Sequence, residues 1–376
     1  NSECLVAWKD DLKAYKEDFP YLNKSVNGLK QLNFRMDDFM KFKLFDEMLR
    51  PEVDVLLMRK HGTPTKELIN NSPQADNFDS RLEELRRELY SNLQRAEKRN
   101  LNMDSLEHVY RKKYDLNARF FDSYYNPETQ QKDSITDANA YIHTQDLRSL
   151  KTNPLYVILD ACYNGSFHED DYIAGYYIFN EGNTIAAQAN TRNVLQDKWT
   201  MNQAGLLSYG VRLGQVHNLN SYLESHLMGD PTFHFGSQEE AQLSKVLSSN
   251  AKASYWQSLL SQQDPIYQAI ALRKLAEGNT SYSDTLYRYF TTSPYRIVRL
   301  QALTLLADIK DANFLSAVSL ALKDEYEMIA RQAAIYVGAL GDSSLLPIVA
   351  EVLVNDKSRM RVNYNLESDF RVFNIG

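Results

Sequence analysis

Three stretches of this 376-residue chain repeat one another. Ile266-Tyr267-Gln268-Ala269-Ile270-Ala271-Leu272 is echoed by Ile297-Val298-Arg299-Leu300-Gln301-Ala302-Leu303, and again by Ile329-Ala330-Arg331-Gln332-Ala333-Ala334-Ile335. Ala271, Ala302 and Ala334 hold the same place in each copy, 31 and 32 residues apart. A period in the range of roughly 20–50 residues marks stacked supersecondary units, each too small to bury its own apolar face. Each copy predicts a helix, a short loop and a second helix, such as 314–322 and 345–353. The small Ala lets paired helices approach closely. Asp264-Pro265 and Ser293-Pro294 open two of the first helices, where the missing proline N–H costs nothing. A fourth, incomplete copy is expected to begin near Ser358.

The chain before the repeats has a different rhythm. Largely apolar runs of strand length stand at Val53–Met58, Leu155–Leu159 and Thr184–Ala189, each followed by turn chemistry and then a helical pattern. Such runs suit buried parallel strands. Cys4-Leu5-Val6-Ala7-Trp8 is a further strand candidate. Residues 76–115 read as an amphipathic surface helix, with Leu82, Leu85, Leu89 and Leu93 at spacings of three and four. Residues 120–150 read as polar loop. Strands alternating with helices predict an α/β fold with a mostly parallel sheet and flanking helices. The expected division is 1–236 for the α/β domain, with a helical insert at about 72–150, and 237–376 for the all-α repeats.

Two of the apolar runs end on a reactive residue. One is Leu56-Leu57-Met58-Arg59-Lys60-His61-Gly62; the other is Leu155–Leu159 followed by Asp160-Ala161-Cys162-Tyr163-Asn164-Gly165. In an open parallel sheet, catalytic groups gather beyond the carboxyl ends of the strands. A thiol is a weak nucleophile until deprotonated, and an imidazole can remove and return that proton. The N–H groups of Gly62 and Cys162 are candidates for binding the oxyanion of a tetrahedral intermediate. A lone Cys at a strand end is more often a small buried hydrophobe. The matched form of the two sites favours His61 and Cys162 as a catalytic pair.

At these residues the chain resembles the caspase-like cysteine peptidases, and within them the gingipain family. Ala161–Phe167 is similar to the family's nucleophile segment. Thr184–Thr191 with Trp199 is similar to its next strand and following Trp, and His226–Thr232 to its closing Gly-Asp-Pro segment. The resemblance covers about residues 50–236. It implies a caspase-like sheet, an acyl-enzyme at Cys162, His61 as general base and acid, and Gly62 in the oxyanion site. It also implies a substrate pocket lined by Trp199. Beside that pocket the acidic run Glu169-Asp170-Asp171 is a candidate for substrate binding, with a preference for Arg or Lys before the scissile bond. The repeats resemble the HEAT family in its short form and imply an all-α HEAT-like solenoid that presents a substrate or partner protein. A second reading stays open: a catalytically inactive peptidase-like scaffold that binds partners through these repeats.

Composition narrows the rest. The net charge of −7 argues against a nucleic-acid surface. No apolar run reaches the length of a membrane span. The only cysteines, Cys4 and Cys162, exclude a disulfide framework and a four-Cys zinc site. The histidines lack close ligand spacing, so neither metal nor cofactor is expected. The chain opens on Asn1, which reads as a processed form. The gingipain resemblance implies an exported bacterial protein.

Overall fold

The computed structural model describes residues 32, 40–69, 77–194, 202–236 and 242–356. Cys4–Trp8, Trp199 and the incomplete copy near Ser358 lie outside them. The fold is α/β with a mostly parallel four-stranded sheet and many helices. It comprises two compact units. The sheet unit is built from Gln31–Val194 and Leu223–Gly229; the helical unit takes Leu195–Tyr222 and the chain from Asp230 onward.

In the sheet unit, helix α1 (Met40–Met48) precedes β1 (Val55–Arg59). The main sheet has the order β1-β5-β6-β7, with β5 at Tyr156–Asp160, β6 at Ala186–Asn190 and β7 at Ser225–Gly229. β1, β5 and β6 run parallel, and β7 is antiparallel to β6. Every residue of β5 and β6 is buried, including the polar Gln188 and Asn190 of β6. Met48, Ile142, Leu147, Ile173 and Tyr177 pack with them in one core.

A second, smaller sheet was not legible in the sequence. β2 (His61–Thr63), β3 (Lys66–Leu68) and β4 (Tyr141–His143) form an antiparallel trio. The helical insert lies between β3 and β4. Its expected single helix is two, α2 (Phe78–Lys98) and α3 (Met103–Tyr114), broken where Asn100 turns left-handed at φ 53° and Asn102 caps a new helix. The stretch expected as loop, 120–150, is largely regular: a 3₁₀ turn over Ala118–Tyr125, α4 (Pro127–Ala140), β4 and α5 (Thr144–Arg148). The start of α4 was written plainly, because the Asn126 side chain accepts from the Glu128 N–H and Pro127 fills the first turn. Leu89, Tyr90, Leu93, Phe121 and Tyr124 give the insert a core of its own. Arg86 joins Glu83 of α2 to Asp133 of α4. After β5, α6 (Ile173–Ile178) returns the chain to the core.

In the helical unit, α7 (Leu213–Asn220) and α8 (Gln242–Leu247) lead to α9 (Ala253–Leu260) and α10 (Pro265–Ala276). Then follow α11 (Ser283–Thr292), α12 (Arg296–Ile309), α13 (Ala312–Ala321), α14 (Glu327–Leu340) and α15 (Leu346–Asn355). α10, α12 and α14 are the first helices of the three copies, and each packs on the next. α11 and α13 do the same on the other side. Ala271, Ala302 and Ala334 are all fully buried, as close helix packing requires.

The expected boundary at 236/237 needs correction. Residues 202–222 belong with the helices, and the final crossing comes at Asp230. Polar contacts explain this. The buried Gln203 amide donates to Gln301 of α12, the Tyr209 hydroxyl bonds Asp264, and the Leu213 N–H donates to the Phe233 carbonyl at 2.9 Å. Asp264 also caps α10, accepting from the N–H groups of Ile266 at 2.8 Å and Tyr267 at 3.0 Å. Asp264→Ala should therefore cost about 1–2 kcal/mol by urea unfolding. Asp264→Asn, which retains a capping oxygen, should cost less than half of that; equal losses would show that the cap contributes little.

Candidate active site

β1 and β5 leave the main sheet side by side. Their register pairs Arg59 with Asp160, and the Lys60 N–H donates to the Asp160 carbonyl at 3.2 Å. Past this point β1 turns into β2, which begins at His61, while β5 enters the loop that carries Cys162. Both residues thus stand just beyond the carboxyl edges of neighbouring parallel strands. Between them the contact is close. A Cβ on Gly62 would lie 2.7 Å from the Cys162 carbonyl oxygen and 2.6 Å from Asn164 Nδ2. Only glycine lets the two segments meet this way.

The loop after Cys162 is anchored on several sides. Gly165 N–H donates to the Asn190 carbonyl at 2.9 Å, and Asn190 Nδ2 returns a bond to the Ala161 carbonyl at 3.1 Å. Tyr163 N–H donates to the Arg192 carbonyl. Tyr163 takes the left-handed conformation at φ 60°, which is costly for a bulky residue and fixes the bend next to the thiol. Gly165 lies in a turn closed by the Ser166 N–H on the Tyr163 carbonyl at 3.1 Å, and its missing side chain has a further use. A Cβ there would come within 2.9 Å of the Ala189 carbonyl carbon and Cβ, so it permits close approach to β6.

Asn164 is the residue that sequence reasoning passed over. It is fully buried, and its Nδ2 donates to the carbonyls of Thr63 at 2.6 Å and Lys66 at 3.1 Å. These two carbonyls flank the β2–β3 turn. One amide therefore pins the strand that starts at His61 to the loop that carries Cys162. The signal was present as an Asn two residues after the Cys. Its meaning depended on the β2–β3 turn, which the sequence did not reveal.

His61 is exposed and Cys162 half-buried. The thiol donates to the Val194 carbonyl at 3.4 Å and accepts from the Val194 N–H at 3.3 Å. No hydrogen bond links His61 to Cys162, and none to the Cys162 N–H is made among the described residues. Asp170 is exposed. Asp171 turns away from solvent and accepts from the Thr144 hydroxyl at 3.0 Å, where it helps tie α5 to the loop. Asp160 is buried against Arg59 at 3.3 Å. His168 is exposed, with Glu169 at 3.7 Å. A second histidine sits near the loop: His226 of β7 meets the Thr191 hydroxyl at 3.1 Å and the edge of Phe167 at 5.0 Å between centroids.

Beneath the site lies a buried ion pair. Lys60 Nζ is 2.9 Å from Glu67 Oε1, with side chains 7% and 0% exposed. Tyr177 donates to the other Glu67 oxygen at 3.4 Å. Burial pushes the Lys60 ammonium below and the Glu67 carboxyl above their ordinary ranges, and their mutual attraction opposes both shifts. Lys60 thus directs its charge inward, although it adjoins His61 in sequence.

Neither the sequence nor the fold finds a match among protein-family models, curated proteins or solved structures. No helix among the described residues is long and apolar enough to cross a membrane.

Proposed function

We propose that the sheet unit is a caspase-like cysteine endopeptidase of the gingipain type. In it, Cys162 is the nucleophile and His61 takes up and returns the proton. The observation that carries this reading is the contact of Gly62 on the Cys162 carbonyl, which brings the two reactive segments to one edge. Attack of the thiolate on a peptide carbonyl gives a tetrahedral intermediate. The Cys162 N–H, unbonded among the described residues, and the Gly62 N–H are the donors for its oxyanion. The amine departs with the proton from His61, and water then hydrolyses the acyl-enzyme. The thiol leaves the Val194 peptide and turns to His61 when substrate arrives, since catalytic hydrogen bonds often tighten only in the complex. Trp199 and Asp170 are the proposed substrate contacts, with Arg or Lys before the scissile bond. The engagement of Asp171 with Thr144 makes it the weaker acidic candidate. On this reading the repeats are a HEAT-like solenoid that presents substrate or partner, and the protein is exported.

The engagement of the thiol by Val194 on both sides favours a second reading, an inactive scaffold of the same fold. One experiment separates them. A peptide library and a thiol-directed acylating probe are applied to the full chain, to Cys162→Ala and to His61→Ala. The enzyme reading expects cleavage and labelling that vanish in Cys162→Ala, with labelling slowed in His61→Ala. An inert thiol and an uncut library would establish the scaffold.

A further inference from the structure

The helical unit holds a cavity of about 520 Å³ between the end of α7, the end of α10 and α12. That is within the size range of ligand sites, about 300–1,000 Å³. Its polar groups are not fully used by the protein. Arg273, on the last turn of α10, lines it and makes no hydrogen bond or close ion pair among the described residues. Burial disfavours its charge, and Glu277 and Asp308 compensate only from a distance. Glu277 already has Lys274 at 3.1 Å. Asp308, on the exposed side of α12, has no such partner among the described residues.

Asn202 also lines the cavity, and its Nδ2 donates to Gln301 Oε1 at 3.4 Å. The Gln203 amide donates to the same oxygen, so Gln301, which is 1% exposed, holds the Asn202 amide in one orientation. Asn202 Oδ1 is then buried without a donor. That oxygen is closed off from the cavity as well as from solvent, so it is not a ligand contact. The cavity therefore offers an unpaired donor fork and a carboxylate at its rim.

The carboxyl end of a chain that finishes in a basic residue fits both. We propose that this cavity binds the carboxyl end of a peptide, with the terminal carboxylate on Arg273 and a terminal Lys or Arg side chain on Asp308. A planar guanidinium takes a carboxylate in two parallel hydrogen bonds, which sets the direction of the chain as well as its affinity. The proposal does not depend on whether Cys162 is reactive.

The test uses fluorescent hexapeptides ending in Lys with a free carboxylate, the same peptides as C-terminal amides, and acids ending in Ala. They are titrated into the full chain carrying Cys162→Ala, so that none is consumed. The acid ending in Lys should bind with saturation, and its amide should bind at least about tenfold more weakly, as expected for the loss of one charge-assisted contact. Arg273→Gln should remove the difference between acid and amide. Asp308→Asn should reduce only the preference for Lys over Ala. The acid–amide comparison needs no variant in the cavity, so it stands even where Arg273→Gln folds poorly, and Arg273→Lys then supplies a charged control with weaker binding. Equal affinity for acid and amide, no saturation by about 1 mM, or unchanged discrimination in Arg273→Gln would each overturn the proposal.

Discussion

Lys60→Met should destabilise the sheet unit by about 3–5 kcal/mol at neutral pH, and acidification should relieve much of that loss. Removing one partner of a buried ion pair leaves the other charge uncompensated, and the penalty is of that size. Here the survivor is Glu67, which is fully buried and whose carboxyl burial already pushes up. Without Lys60 its folded-state pKa rises further, since the attraction that lowered it is gone. The folded state then holds a proton that the unfolded chain has released. Stability is therefore present below the ordinary Glu range, around pH 4, and is lost as pH rises through the raised folded value. Glu67→Gln is the complementary variant. It leaves a buried ammonium, whose folded pKa falls, so its loss should ease toward alkaline pH. The double variant Lys60→Met, Glu67→Leu should recover most of the stability, because paired apolar replacements avoid the desolvation of both charges. Unfolding by guanidinium between pH 4 and 9 reads all three. A Lys60→Met penalty that stays flat over that range would mean the Glu67 charge is not the cause.

The large elements were legible because each was written in contiguous residues. The runs at Leu155–Leu159 and Thr184–Ala189 became β5 and β6, each shifted by one or two residues, since an apolar run marks a buried strand wherever its neighbours lie. The three repeat copies became α10, α12 and α14 with their alanines buried. What escaped was held in place by contacts distant in sequence. The trio β2, β3 and β4 has strands of three residues, too short for any period, and β4 finds its partner across the whole insert. Residues 202–222 join the helices through Gln203, Tyr209 and Leu213, polar or single contacts that leave no periodic trace. For the candidate site, the residue types and the strand-end positions of His61 and Cys162 could be read, as could Gly62. Asn164 could not, because its partners are backbone carbonyls about a hundred positions earlier.

Gly62→Ala tests the contact that joins the two halves of the site, and its expected effect is large in both stability and reactivity. The added Cβ would meet Asn164 Nδ2 at 2.6 Å, Asn164 Oδ1 at 2.7 Å and the Cys162 carbonyl oxygen at 2.7 Å. Those separations are far inside van der Waals contact, so one segment must move. Asn164 cannot swing aside without leaving the Thr63 and Lys66 carbonyls, and the Cys162 carbonyl belongs to a loop anchored at Tyr163 and Gly165. Overpacking of this kind costs about 1–3 kcal/mol. The reactive groups fare worse than the fold. On the proposed peptidase reading, displacing Cys162 from His61 by about 1 Å should cut turnover by about a hundredfold, in line with the sensitivity of positioned reactants to small shifts. Adding Asn164→Ala removes the side-chain part of the clash but not the carbonyl part. The double variant should therefore regain some packing and, on that reading, no turnover. Rate of thiol labelling and thermal unfolding, measured together on both variants, separate these terms. A Gly62→Ala protein with normal stability and normal thiol reactivity would show that the two segments do not meet as described, and the assignment of His61 and Cys162 to one site would go with it.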